Sequence, residues 1–446
     1  MNPGTIQETS SDLLFKRGGL FGLVASLMLL TMQFQTTPLG LEAQNVPLTS
    51  VIALLFLPFA LLKIPKSPVM TLLALFTCYV ILQSLIWLVV DLSSGDSEIR
   101  FISWIRQCAA FSAGVATFVV LRYSLVFVSD RQIIRYVLWG AVPLFILSLL
   151  NIAWGAFGQE WAGDIVVAVR EALVPRGYTS PMRATGLATE PSTLAGSLVV
   201  IMLPLVLFLG REHAHRLSFF ALLLVTTLTF VWTFSTSGLV LLLLVLLAGV
   251  VTGPDRRMMI GVMVIFLALG ISALLLFPNN QVLRHATTLA LGQANISFTD
   301  RFYSTFGPFL QSFSSLTTVG YGLGGTVSHF REMIPQEVQA DIIAVKWKDL
   351  PNLGTLLGRI FGETGAVGFT FFLAMIITAF RELRVALKHA GDRARFLFTA
   401  RIGFLAALLS SAMIFGSFHT PYLWFWLAVI DSRFLTALNG RDEEKI

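Results

Sequence analysis

Two arginines offer the clearest chemistry in this chain. Arg183 stands at the head of a run, 183–195, that also holds Gly186, Glu190 and Pro191. Proline suits the first turn of a helix because its missing N–H has no partner there anyway. The free N–H groups of such a turn favour an anion, and arginine's planar fork grips phosphate through two parallel bonds. Gly186 lets the backbone turn tightly or approach a ligand. Glu190 can cap the helix, or accept a proton or a sugar hydroxyl. Arg301, preceded by Asp300, is the second candidate cation, and Arg359 the third. A diphosphate carries more than one charge, so two or three guanidinium groups suit it. Plainer readings stand beside these. Arg183 reads equally as an interfacial arginine reaching for lipid headgroups. Asp300 and Arg301 read as an exposed ion pair worth about 0–1 kcal/mol. Arg284, Arg331, Lys346 and Lys348 are further cations of the same outer stretch.

The remaining motifs are less pointed. Gly320, Gly322 and Gly324 form a glycine-rich run, but a dinucleotide fingerprint needs a strand before it and a helix after it. A tight turn or close packing is expected, with backbone brought near a ligand. His285 and His329 read as solvated loop histidines before they read as catalytic. Ser235, Thr236, Ser237 and Gly238 read as a short polar turn between two spans. The sequence holds no HExxH, CxxC, GxSxG or acidic cluster, so no metal and no other cofactor is expected. Cys78 and Cys108 lie in apolar runs and read as free thiols.

The elements that must position these residues are membrane helices. The chain has 446 residues, of which 55% are apolar and 13% charged, with a mean hydropathy of +0.78. A soluble domain averages about 25% charged residues. Spanning-length apolar runs fall at 18–34, 48–65, 69–90, 102–121, 133–155, 190–209, 217–235, 237–253, 258–277, 360–380, 397–417 and 421–439. Helices are the choice for each, because an open sheet leaves backbone groups unpaired in lipid. The first run follows Lys16 and Arg17 like a signal peptide, but its flank lacks a small-x-small cleavage site and it reads as an uncleaved span. The expected fold is therefore all-α: a single membrane domain over 1–446, a polytopic transmembrane bundle of about 12 spans.

Basic residues set the orientation. With the N-terminus in the cytoplasm, Lys63, Lys66, Arg122, Arg131, Arg135, Arg211, Arg256 and the 381–395 cluster all face inward. Both termini are then cytoplasmic, and the net charge of +6 reflects topology rather than a nucleic-acid partner. Two outer loops, 156–189 and 278–359, exceed ordinary connector length and are expected to form a structured cap. Phe302, Phe306, Phe309 and Phe313 recur at helical spacing and predict a helix lying in the membrane interface. Val338, Ile342 and Val345 make a similar stripe.

In this order, the pieces resemble the bacterial O-antigen ligase and polymerase superfamily. The matching residues are Arg183, Gly186, Glu190, Pro191, Ser192 and Ala195, then Arg301, then Gly320, Gly322 and Gly324, then Glu363, Gly365 and Gly368 opening a span. The resemblance covers about the last 270 residues. It implies a multi-span glycosyltransferase of the lipid-linked-sugar class in the bacterial inner membrane, working at the periplasmic face. Donor and acceptor would be glycans on undecaprenyl diphosphate, and neither nucleotide sugar nor metal is implied. Arg183, Arg301 and Arg359 would bind the diphosphate. Membrane lipids and a chain-length regulator protein are the other partners implied. The ligase branch carries a histidine–asparagine pair shortly before the last of these spans, where this chain has Asp349, Leu350, Pro351 and Asn352. That departure favours a polymerase of lipopolysaccharide or exopolysaccharide repeat units over a ligase to lipid A core or protein. It leaves the general base open among Glu190, Asp300 and Glu363. A transporter or flippase of lipid-linked glycan is the alternative without chemistry.

Overall fold

The computed structural model describes the chain apart from residues 1–9, 36–45, 63–65, 94–96, 175–178, 212–215, 253–255, 278–281, 284–286, 288–295, 315–318, 327–328, 330–352 and 444–446, and apart from the side chains of 10–18, 97–99, 296–300, 311–314, 392 and 439–443. Among the described residues it is nearly all helical and has no strand. The helices are α1 (Ser10–Leu30), α2 (Leu48–Leu61), α3 (Pro68–Ser93), α4 (Ser97–Leu125), α5 (Asp130–Phe157), α6 (Glu160–Leu173), α7 (Pro191–Arg211), α8 (Arg216–Trp232), α9 (Thr236–Thr252), α10 (Arg256–Leu276), α11 (Ile296–Ser314), α12 (Leu356–Lys388), α13 (Ala394–Met413) and α14 (Pro421–Glu443).

Each apolar run of the sequence falls on one of these helices. Seven of them are long and apolar enough to cross a membrane: α3, α4 from Arg100, α5, α7, α10, α12 and α13. Shorter apolar stretches lie on α1, α2, α8 and α9. The most apolar part of α7 is 83% buried, whereas that of α10 is 17% buried, so α7 runs through the centre and α10 forms the rim. Val264, Ile271 and Leu275 of α10 are exposed, a surface that suits lipid tails and not water.

The core also holds charge. Arg122, counted from the sequence with the basic loops, is instead helical and buried, because α4 runs on to Leu125 and Asp431 of α14 pairs with it. Glu382 of α12 is buried too and accepts a hydrogen bond from the Val69 amide at 3.3 Å. Arg433 pairs with Asp130 at 2.7 Å and donates to the Leu125 and Val128 carbonyls. These contacts tie α14 to α4 and α5 at one end of the bundle.

The two long loops carry helices of their own. Within 156–189 lies α6, which packs against α5. Within 278–359 lies α11, the helix predicted from the phenylalanine stripe. Phe302 and Phe306 are exposed, as an interfacial face requires, but Phe309 turns to Phe361 of α12 with ring centroids 4.7 Å apart. The Phe313 side chain lies outside the described residues, as do Val338, Ile342 and Val345. The expected loop also ends early. Thr355 caps α12, its hydroxyl accepting from the Gly358 amide at 3.2 Å, so Arg359 sits in a helical turn and not in a loop.

Both α7 and α12 contain one π-helical turn near their starts, at Leu198–Met202 and Ile360–Thr364. Such turns are uncommon and occur often near functional sites. The indole N–H of Trp426 donates to the Val200 carbonyl at 2.9 Å, which satisfies a backbone acceptor in the first of them.

Candidate functional site

Two glycines let three helix starts converge. At Gly238 a side chain would collide with Ala195, so α9 can lie close on α7. At Gly358 a side chain would collide with the Ser304 carbonyl, so α11 can lie close on α12. Thr305 of α11 fixes that second contact, hydrogen-bonding the Thr355 hydroxyl at 2.7 Å and the Ala412 carbonyl at 3.1 Å.

This packing delivers Arg301 to the start of α7. Its Nη1 donates to Ser237 Oγ at 2.5 Å and its Nη2 to Ser192 Oγ at 3.3 Å. Ser192 in turn donates to Glu190 Oε2 at 3.2 Å. Glu190 occupies the N-cap position, but its side chain makes no capping bond to the helix. It is exposed and faces the arginine through the serine. Arg183 reaches the same turn from the other side. Its Nε donates to the Thr233 carbonyl at 2.9 Å and its Nη2 to the Phe234 carbonyl at 3.4 Å. Both arginines therefore hang on residues 233–237, the turn that joins α8 to α9 and the first residues of α9. Phe234 adopts φ 43° there, a left-handed conformation costly for a bulky residue. Such strain persists only where the surroundings hold it. The Asp300 side chain lies outside the described residues.

A third arginine, which the sequence reading passed over, holds the loop that carries Arg183. Arg170 of α6 is buried, and it donates to Thr179 Oγ1 at 3.0 Å, the Gly186 carbonyl at 2.6 Å and the Ala188 carbonyl at 3.0 Å. Burial lowers its pKa to about 10, which still leaves it charged at neutral pH. Gly186 has φ 51° and packs on Leu144 and Ser148 of α5, so its role is the tight turn.

A second polar cluster lies along α12. Arg359 is 1% exposed; it donates to the Gly416 carbonyl at 2.8 Å and to Glu363 at 3.3 Å. Glu363 is fully buried and also accepts from the Thr326 hydroxyl at 2.8 Å. The glycine-rich run wraps this turn of α12: the Tyr321 amide donates to the Gly362 carbonyl at 3.0 Å and the Gly322 amide to the Glu363 carbonyl at 2.9 Å. Gly320, Gly322 and Gly324 all have φ between 73° and 76° and press on α12, on Ser84 of α3 and on Ser103 of α4 respectively. The run is thus a close-packed strap. Arg100 of α4, fully buried, holds its far side through the Tyr321 and Leu323 carbonyls at 3.2 and 2.7 Å. Arg100 also pairs with Asp91 of α3 at 2.5 Å, and the other oxygen of Asp91 meets His329 Nε2 at 3.2 Å.

Of the residues singled out from sequence, Arg183, Glu190, Pro191 and Arg301 meet at one place. Arg359, Gly320, Gly322 and Gly324 belong to the neighbouring cluster. Ser192 and Ser237 were missed as partners, although Ser192 lies inside the motif and Ser237 was read only as part of a turn. Arg170 and Arg100 were missed because most of their bonds go to loop carbonyls, and Asp91 because its pairing with Arg100 nine positions on follows no helical spacing. His285, Arg284, Arg331, Lys346, Lys348 and residues 349–352 lie outside the described residues. No protein-family model and no curated protein matches the chain.

Proposed function

We propose that this protein is a polysaccharide polymerase of the bacterial inner membrane. It has about 12 spans and cytoplasmic termini, and it acts on glycans carried by undecaprenyl diphosphate at the periplasmic face. The acceptor hydroxyl of a lipid-linked repeat unit gives up its proton to a base of the site and attacks the anomeric carbon of the growing glycan. The bond from that carbon to the diphosphate oxygen breaks, and its electron pair leaves with undecaprenyl diphosphate. Arg183 and Arg301 stabilise the charge that grows on the leaving group. Glu190, linked to Arg301 through Ser192, keeps the pair aligned.

One observation carries this reading: two arginines far apart in sequence are seated on residues 233–237, where the turn after α8 enters α9, beside the start of α7. A transporter more often sets its charges near the midplane of broken helices. Here Arg183 and Arg301 reach the residues around the starts of α7 and α9, beside the loop helices α6 and α11. The phenylalanines exposed on α11 give that cap a surface for the lipid carrier.

The glycan profile of a strain lacking the gene tests the function. Loss of a polymerase leaves acceptor capped with a single repeat unit. Loss of a ligase leaves uncapped core and accumulated lipid-linked polymer, and an unchanged chain-length distribution removes both readings. Complementation with Arg183→Ala or Arg301→Ala is expected to restore no polymer although the protein still inserts. Normal polymer from either variant would sink the diphosphate assignment.

A further inference from the structure

We propose that Glu382 and Asp431 hold one proton between them, a buried proton-binding site where α12 meets α14. The site stands apart from the arginine seat and from the polymerase reading. Both carboxyl groups are out of water: Glu382 is 3% exposed and Asp431 0%. Arg122 of α4, also buried, donates from Nε to Asp431 Oδ2. Glu382 Oε1 accepts from the Val69 amide in the first turn of α3. Each acid then keeps one buried oxygen, Glu382 Oε2 and Asp431 Oδ1, that accepts from no N–H or hydroxyl. The two carboxyl groups lie within hydrogen-bonding reach of each other. Carboxylates only accept, so this approach becomes a bond only when one of the two carries a proton.

The charge count calls for a cation. Two acids face one guanidinium, which leaves one negative charge over. Among the described residues, Arg122 of α4 is the base that acts on Glu382, and Asp431 of α14 the acid. From α3 comes the Val69 amide, and from α13 no acid or base that acts on Glu382. Arg433, two positions on from Asp431, is taken up by Asp130 at 2.7 Å. Arg381 and Arg384, beside Glu382 on α12, are exposed. A buried charge without a partner is strongly disfavoured, and two carboxylates at bonding distance do not both ionise. One proton removes both faults. It cancels the excess charge and turns the two unsatisfied oxygens into a hydrogen bond. A hard metal cation fits less well, because it takes about six or more oxygens. Among the described residues no three acids, histidines or cysteines are grouped to hold one. Losing the proton would set two negative charges face to face where α12 packs on α14, so that contact is sensitive to pH. The unfolded chain releases the proton at neutral pH, since free carboxyls titrate near about pH 4. The folded chain keeps it, and stability therefore falls as pH rises.

Infrared spectroscopy of the full chain in nanodiscs, with no substrate added, reads the proton. At neutral pH the wild type should show the C=O band of a protonated carboxyl. That band should shift in deuterated water and on isotopic labelling of the glutamate and aspartate carboxyls. Glu382→Gln and Asp431→Asn each leave a single acid for Arg122, so each should lose the band. The Tm of the wild type should fall as pH is raised from neutral, and Glu382→Gln should flatten that fall, because its amide needs no proton. A wild type without the band overturns the proposal. So does a band that survives in both variants, or a Tm with the same pH dependence in Glu382→Gln as in the wild type. Should neither variant fold, the labelled wild type still decides: the band must be present at neutral pH and fade as the pH is raised, and its absence or persistence overturns the proposal. No glycan enters the measurement, so its failure leaves the polymerase reading where it stands.

Discussion

Ser192 is the smallest part of the arginine seat and its hinge. The hydroxyl accepts from Arg301 and donates to Glu190, so one oxygen links the cation to the carboxylate. A hydrogen bond to a charged group contributes about 1.5–3 kcal/mol. Ser192→Ala is therefore expected to weaken diphosphate binding roughly 10-fold or more, since about 1.4 kcal/mol is one decade. Isothermal titration with farnesyl diphosphate reads this directly, and unchanged affinity would remove Ser192 from the seat. Arg183→Lys should fail in a different way. An ammonium cannot reproduce the fork that reaches the Thr233 and Phe234 carbonyls together, so polymer should shorten although the charge is kept. At this scale the sequence was legible where chemistry was local. Arg183, Glu190 and Pro191 advertise one another within a few residues. His329 did not, because its carboxylate lies 238 positions upstream and nothing local marks the pair.

The glycine strap is the element on which the second cluster depends. Gly322 has φ 76°, and a side chain there would meet Ser84 Cα at 3.0 Å. A left-handed non-glycine residue costs about 1–3 kcal/mol before any steric contact is counted. Gly322→Ala should thus lower the Tm of the purified protein, while Gly261→Ala on the open face of α10 should not, because nothing lies within 4 Å of that position. Equal Tm values for the two variants would show that the strap bears no load. Helices were readable from apolar runs, since each run proved helical. Amphipathic α6 was not, because α6 is 14 residues long and too polar to read as an apolar run. The start of α12 was misplaced for a similar reason: Thr355 caps it a few residues ahead of the apolar run.

Over the whole molecule, the apolar runs foretell the helices but not the charge inside the bundle. Arg122 and Glu382 are buried where basic loop segments were expected, and Asp431 is buried within the last apolar run. Breaking a buried pair by removing one partner costs about 3–5 kcal/mol, because the other charge is left uncompensated. Arg122→Ala should therefore reduce the amount of folded protein recovered in detergent, and Arg122→Ala with Asp431→Ala should recover part of the loss. A double variant no better than the single would mean that the pair is not coupled. Sequence could not foretell this pairing, which joins α4 to α14 across most of the chain. It is also why the first five helices, though only generically apolar, are integral to the bundle: α4 packs extensively on α2 and α14.

The π turn at Leu198–Met202 has a consequence for length. It holds one residue more than the α-helical path needs, with the Val200 carbonyl satisfied by Trp426. Deleting a single residue there would let the helix close in ordinary register. The wide turn absorbs that residue, so the helix on either side keeps its phase and Ser192 stays turned to Arg301. A one-codon deletion in this turn should leave polymer formation intact, whereas the same deletion in the regular helix after it, between Pro204 and Phe208, turns the start of α7 by roughly 100° about its axis and should abolish it.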